Sequence, residues 1–175
     1  EGLITTGLLA KVADQSRHKE LADICVMACE FVFRLQSKAM SLQAGAPNDA
    51  TLLEPGRHSG VWIDGQACIC VRLQPRKNRA QSPLLRRHSA CPAAGPRLCA
   101  VHRLSGRLAT MKVGAAMWSL TPHVVLTQLR RILAQAGASG SERFTQKCFR
   151  AGRATQLAVY GRSLGVILQA GAWRS

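Results

Sequence analysis

Acidic residues almost vanish from this chain after Asp64. Residues 65–175 hold one, Glu142, against 18 Lys and Arg, whereas residues 1–64 hold 8 acidic and 6 basic side chains. A surplus this one-sided leaves no paired carboxylates for acid–base hydrolysis in the second half, and it sets up a long-range positive field suited to a polyanion. The net charge is +15, and Arg outnumbers Lys by 18 to 6. The planar guanidinium fork grips phosphate oxygens in a bidentate way that an ammonium cannot.

Other absences narrow the field further. No run of eighteen apolar residues exists, since the longest candidate, residues 24–35, is broken by Glu30 and Arg34; a membrane-spanning helix is not expected. The chain opens on Glu1 with no basic start and apolar core, so no signal peptide is read, and without an initiator Met it reads as a fragment. There is no Walker-type phosphate loop and no Gly-x-Ser-x-Gly elbow. Tyrosine occurs once, at position 160. Seven cysteines, an odd number without a secretory signal, point to a reducing, intracellular setting in which they pack or ligate metal.

What is present reads as helices at both ends around a strand-rich middle, an α+β class. Ser16 or Asp14 can cap a helix through residues 19–33, with Leu21, Ile24, Cys25, Ala28, Phe31 and Val32 on one face. Residues 61–63 and 67–73 read as strands joined by an Asp64-Gly65 hairpin turn, and residues 82–87 add another, predicting a small antiparallel sheet. Thr121-Pro122 opens a helix that turns Val125, Leu126, Leu129, Ile132 and Leu133 inward and stops at Gly137. A further helix begins near Arg150, buries Ala151, Ala154, Leu157 and Ala158, and stops at Gly161; Ser163 then caps residues 164–169. No internal repeat is visible.

The last stretch is the most specific. Lys147-Cys-Phe-Arg150, a small-residue helix, a glycine turn, a second short helix and Gly171-Ala-Trp173 follow one another. A helix N-terminus beside Lys147 and Arg150 makes an anion site on physical grounds alone. The pattern resembles the C-terminal box of the tyrosine recombinases, the phage-integrase family. The resemblance covers residues 20–175 and implies a mainly helical catalytic domain, with residues 1–175 as one DNA breaking–rejoining domain cut before the nucleophilic tyrosine. It carries over Arg34, in Phe31-Val-Phe-Arg34-Leu-Gln-Ser37-Lys38, as the family's first arginine, although Ser37 and Lys38 stand where that family has an acidic residue. Lys77, in Arg76-Lys77-Asn78-Arg79 between two strand-like runs, takes the place of the general acid. Lys147 replaces the common His, Arg150 is the second arginine, and Trp173 closes the set.

This resemblance implies phosphoryl transfer on double-stranded DNA in recombination and integration, as in eukaryotic mobile elements. It implies a homo-oligomer on DNA, nuclear if the source is eukaryotic, with no membrane, small-molecule substrate, cofactor or metal. Arg34 and Arg150 would hold the scissile phosphate, Lys77 would protonate the leaving oxygen, and Lys147 and Trp173 would support the charge. Tyr160 is expected to pack at its helix end, and residues 1–175 alone are expected not to cleave DNA. Two readings stand beside it. Residues 154–167 also resemble a helix-turn-helix, which would make the chain a non-catalytic DNA-binding module. The pairs His88-Ser-Ala-Cys91 and Cys99-Ala-Val-His102 offer the four ligands of a tetrahedral zinc, though Cys-x-x-Cys would be the more specific signature.

Overall fold

The computed structural model describes residues 2–16, 18–48, 59–65, 67–74, 83–89, 91 and 96–173. Its class is mixed α/β. It divides into two units: Glu1–Met40 together with Leu120–Ser175, and the intervening Ser41–Ser119. Among the described residues no helix is long and apolar enough to cross a membrane.

The first unit is helical. α1 (Thr6–Gln15), which the sequence reading does not anticipate, starts where the Thr5 hydroxyl accepts from Leu8 N–H at 3.3 Å and buries Leu9 and Val12. α2 spans Lys19–Glu30 with His18 as N-cap. The expected cap at Asp14 or Ser16 is displaced, because Ser16 closes α1 and folds its hydroxyl onto both backbone groups of His18. Residues 21–29 are all buried, so α2 is central to its unit and not merely one-faced. It stops at Val32, which takes a left-handed φ of 54° while Phe33 N–H returns to Ala28 O at 2.9 Å. The Phe31 and Phe33 rings stack 5.4 Å apart, and one turn of π-helix (Leu35–Ala39) follows.

The second unit carries a four-stranded sheet in the order β1 (Gln43–Ala44), β2 (Gly60–Asp64), β3 (Cys68–Arg72), β4 (Leu84–His88). The β2–β3 and β3–β4 pairs are antiparallel, and Gly65 makes the hairpin turn at φ 63°. The sheet is nevertheless mixed, because β1 runs parallel to β2. Two residues are too few to show a period of two, so this edge was illegible. α3 (Ala100–Thr110), also unanticipated, packs on β2 and β3 and buries Val101 and Leu104.

α4 (Pro122–Gln135) returns the chain to the first unit. It starts as its sequence predicts, with the Thr121 hydroxyl accepting from Val124 N–H and Pro122 leading, and it buries Val125, Leu129, Ile132 and Leu133 before Gly137 turns left-handed at φ 75°. α5 (Cys148–Val159) and α6 (Leu164–Ala170) form the terminal hairpin, with Gly161 at φ 70° and the Ser163 hydroxyl capping α6. The buried face of α5 differs from expectation: Cys148, Phe149 and Gly152 point inward, while Ala158 is exposed and Ala151, Ala154 and Leu157 are half-buried. Backbone approach decides this. Ile4 N–H reaches Cys148 O at 3.4 Å, and a Cβ on residue 152 would collide with the Ile4 carbonyl, so glycine faces in.

Candidate functional site

Arg34 sits between Phe33 and Leu35, both buried, and alternation along this extended link turns Arg34 to solvent. Its carbonyl accepts from Lys38 and Ala39 N–H at 3.2 Å each, which starts the π-turn. The next residue is the connection that matters: Leu35 N–H donates to Gln146 O at 3.3 Å, joining the Arg34 segment to the residue before Lys147.

Lys147 stands at the N-terminus of α5 in a helical conformation with no side-chain cap of its own. Thr145 organises that start. Its hydroxyl accepts from Lys147 N–H at 3.3 Å, its carbonyl accepts from Cys148 N–H at 3.1 Å, and its own N–H donates to Cys148 Sγ at 2.9 Å. Thr145 and Cys148 bond each other twice ahead of the helix, N–H to carbonyl one way and N–H to thiol the other. The helix thus presents its positive end at Lys147.

These segments enclose a cleft of about 520 Å³ lined by Arg34, Gln36, Ser37, Leu126, Arg130, Thr145, Gln146 and Lys147. Arg34 and Lys147, which lie in different sequence segments of the unit, therefore share one cavity. Arg130 makes a third cation that the sequence reading missed. It lies one turn after Leu126 on α4, and its Nε donates to Phe144 O at 2.9 Å, fixing the strand of chain that leads into Lys147. Its only sequence signal was the i, i+4 spacing from Leu126. Ser37 lines the same wall as Arg34, at the place where an acidic residue was sought.

Arg150 lies one turn further along α5 and is not among the cleft-lining residues. Its guanidinium instead stacks on the Trp173 ring, 4.0 Å from the centroid, a cation–π contact. The indole is set by the chain end of α6: Trp173 N–H bonds Leu168 O at 2.7 Å, Ala172 takes φ 51°, and Gly171 leaves room that any Cβ would deny the ring. Lys77 falls outside the described residues; the strands on either side of it, β3 and β4, are antiparallel neighbours. Tyr160 does not pack as expected. It is 65% exposed, at the end of α5, with its hydroxyl 3.4 Å from Gln156 Nε2.

In the Ser41–Ser119 unit, Cys91, Cys99 and His102 gather with their ligand atoms all within 4.8 Å of one another. His88, the fourth member of the two sequence pairs, is exposed at the end of β4 and outside this group. The Cys91 thiol is shifted upward: a hydrogen bond with Ser89 lowers it, and desolvation with the neighbouring Cys99 outweighs that.

By fold the chain is a mixed α/β protein with a small four-stranded sheet. Comparison with protein-family models, with curated proteins and with solved structures finds no match.

Proposed function

We propose that this chain binds double-stranded DNA and seats a backbone phosphate in the cleft of Arg34, Arg130 and Lys147, as a strand-cleaving and rejoining domain of the tyrosine recombinase type. The observation that carries the reading is the Leu35–Gln146 backbone bond, which brings a solvent-facing arginine and a helix-N-terminal lysine from distant sequence to one cavity. A phosphate there meets two guanidinium groups and an ammonium, and three cations offset the charge that builds on phosphorus-bound oxygens in a displacement. Arg150, held over the Trp173 ring, adds a further cation on α5. Lys77, outside the described residues, keeps only the general-acid role that the resemblance implies. The nucleophile of such a reaction is a tyrosine, and the single tyrosine of these residues does not line the cleft.

The helix-turn-helix reading is weaker. α6, its recognition helix, is seven residues long and has no charged side chain. Base edges are read mainly by Arg, Lys, Asn and Gln, and only Gln169 is available there.

Anisotropy titration of a labelled duplex with the parent chain, Arg34→Ala, Lys147→Ala and the double variant tests the proposal. Each single change is expected to weaken binding about tenfold, the scale of one charged hydrogen bond, while the exposed Arg162→Ala changes it little. Equal losses at Arg162 and at the cleft would reduce the site to diffuse surface charge.

A further inference from the structure

We infer that Cys91, Cys99 and His102 form a metal-binding site for one zinc ion, with solvent in the fourth position. The three come from two places in the Ser41–Ser119 unit. Cys91 lies just past Ser89 at the end of β4, while Cys99 and His102 occupy the N-cap and third positions of α3. Side chains at these two helix positions face each other, which is why a Cys-x-x-His spacing converges at a helix start. Cys91 Sγ stands 2.8 Å from His102 Nδ1, and all three ligand atoms lie within 4.8 Å of one another. Tetrahedral zinc with ordinary Zn–S and Zn–N bonds needs ligand separations of about 3.5–3.8 Å. The separations found lie within about 1 Å of these.

Packing accounts for Cys99, which is buried, but not for Cys91 and His102. His102 is exposed and Cys91 only half-buried, so neither completes the core. Cys99 is the N-cap of α3, yet its side chain makes no capping hydrogen bond to that helix. Serine would cap better. A sulfur here instead contacts Ser89 Oγ at 3.5 Å and faces the same small space as Cys91 and His102. Two thiolates and an imidazole select a borderline-soft ion such as Zn²⁺ over Mg²⁺ or Ca²⁺, whose ligands are oxygens. Binding would clamp the end of β4 to the first turn of α3.

Metal analysis of the full chain purified under reducing conditions, followed by Co²⁺ substitution, decides the matter. Expected are about one zinc per chain and, with cobalt, thiolate-to-metal charge transfer together with the intense visible bands of a four-coordinate ion. Cys99→Ser keeps a good N-cap and His102→Ala alters an exposed side chain, so both should fold, and each should weaken Zn²⁺ at least tenfold. His88→Ala should leave the stoichiometry and the cobalt spectrum unchanged. Sub-stoichiometric zinc after refolding with excess Zn²⁺ and reductant would overturn the site. So would retention of full affinity in Cys99→Ser and His102→Ala, or loss of the metal in a Cys68→Ser, Cys70→Ser control whose fold is intact.

Discussion

Cys29 shows how a single residue ties the first unit to pH. It is buried in α2, and desolvation first, then the neighbouring Glu30 carboxylate, push its thiol up to about 12 from an ordinary 9.0, while Arg153 pulls slightly the other way. The unfolded chain therefore loses this proton before the folded chain does. Below pH 9 both states are protonated and nothing changes; between 9 and 12 the unfolded state binds fewer protons, so stability falls as pH rises. In that window the parent should lose on the order of 1 kcal/mol per pH unit more than Cys29→Ala does, read by chemical denaturation at pH 8, 9 and 10.5. Parallel pH profiles for the two proteins would show that the thiol does not titrate on unfolding. Residues of this kind are legible in sequence only as apolar positions. Arg34 was picked out by the resemblance of its segment, residues 31–42, to the recombinase pattern, whereas Arg130 reads like any solvated helix residue until Phe144 O is known to meet it.

Among the elements, α5 puts intrinsic propensity and packing in direct opposition. Alanine is favoured over glycine by about 1 kcal/mol inside a helix, so propensity alone says Gly152→Ala stabilises. A methyl at that position runs into the Ile4 backbone, which cannot rotate away as a side chain can, and overpacking of this kind costs about 1–3 kcal/mol. The contact should win. Gly152→Ala is expected to lower Tm by several degrees, at about 2–4 °C per kcal/mol in a chain of this size, and a raised Tm would mean that Ile4 gives way freely. The same contest explains what could be read in advance. Helix starts at Thr121 and Ser163 and stops at Gly137 and Gly161 follow local rules, and the structure places them there. α2 and α6 end by the same left-handed turn with Val32 and Ala172, residues that carry no stop signal. Their ends were hidden because the surrounding packing, not the residue, imposes the conformation.

For the whole molecule, folding redistributes the charge. Along the sequence the surplus is concentrated after residue 64, but the unit of Glu1–Met40 and Leu120–Ser175 holds 13 basic and 6 acidic residues, net +7, and Ser41–Ser119 holds 11 and 3, net +8. The linear asymmetry does not carry over to the units, because α2, net −2, packs against α5, net +2, within the first of them. Each unit is thus cationic in its own right. Duplex binding should fall steeply with salt, with a log–log slope of about −0.9 per phosphate neutralised, and a flat salt profile would remove the polyanion reading altogether. The bond from Leu35 N–H to Gln146 O has one more consequence. It uses only main-chain atoms, so it does not depend on the chemistry of either side chain, save that proline at 35 would remove the donor. The form of the cleft and the charge on its walls are therefore separate inheritances: a lineage can exchange or neutralise Arg34 and Lys147 and still pass on the same cavity.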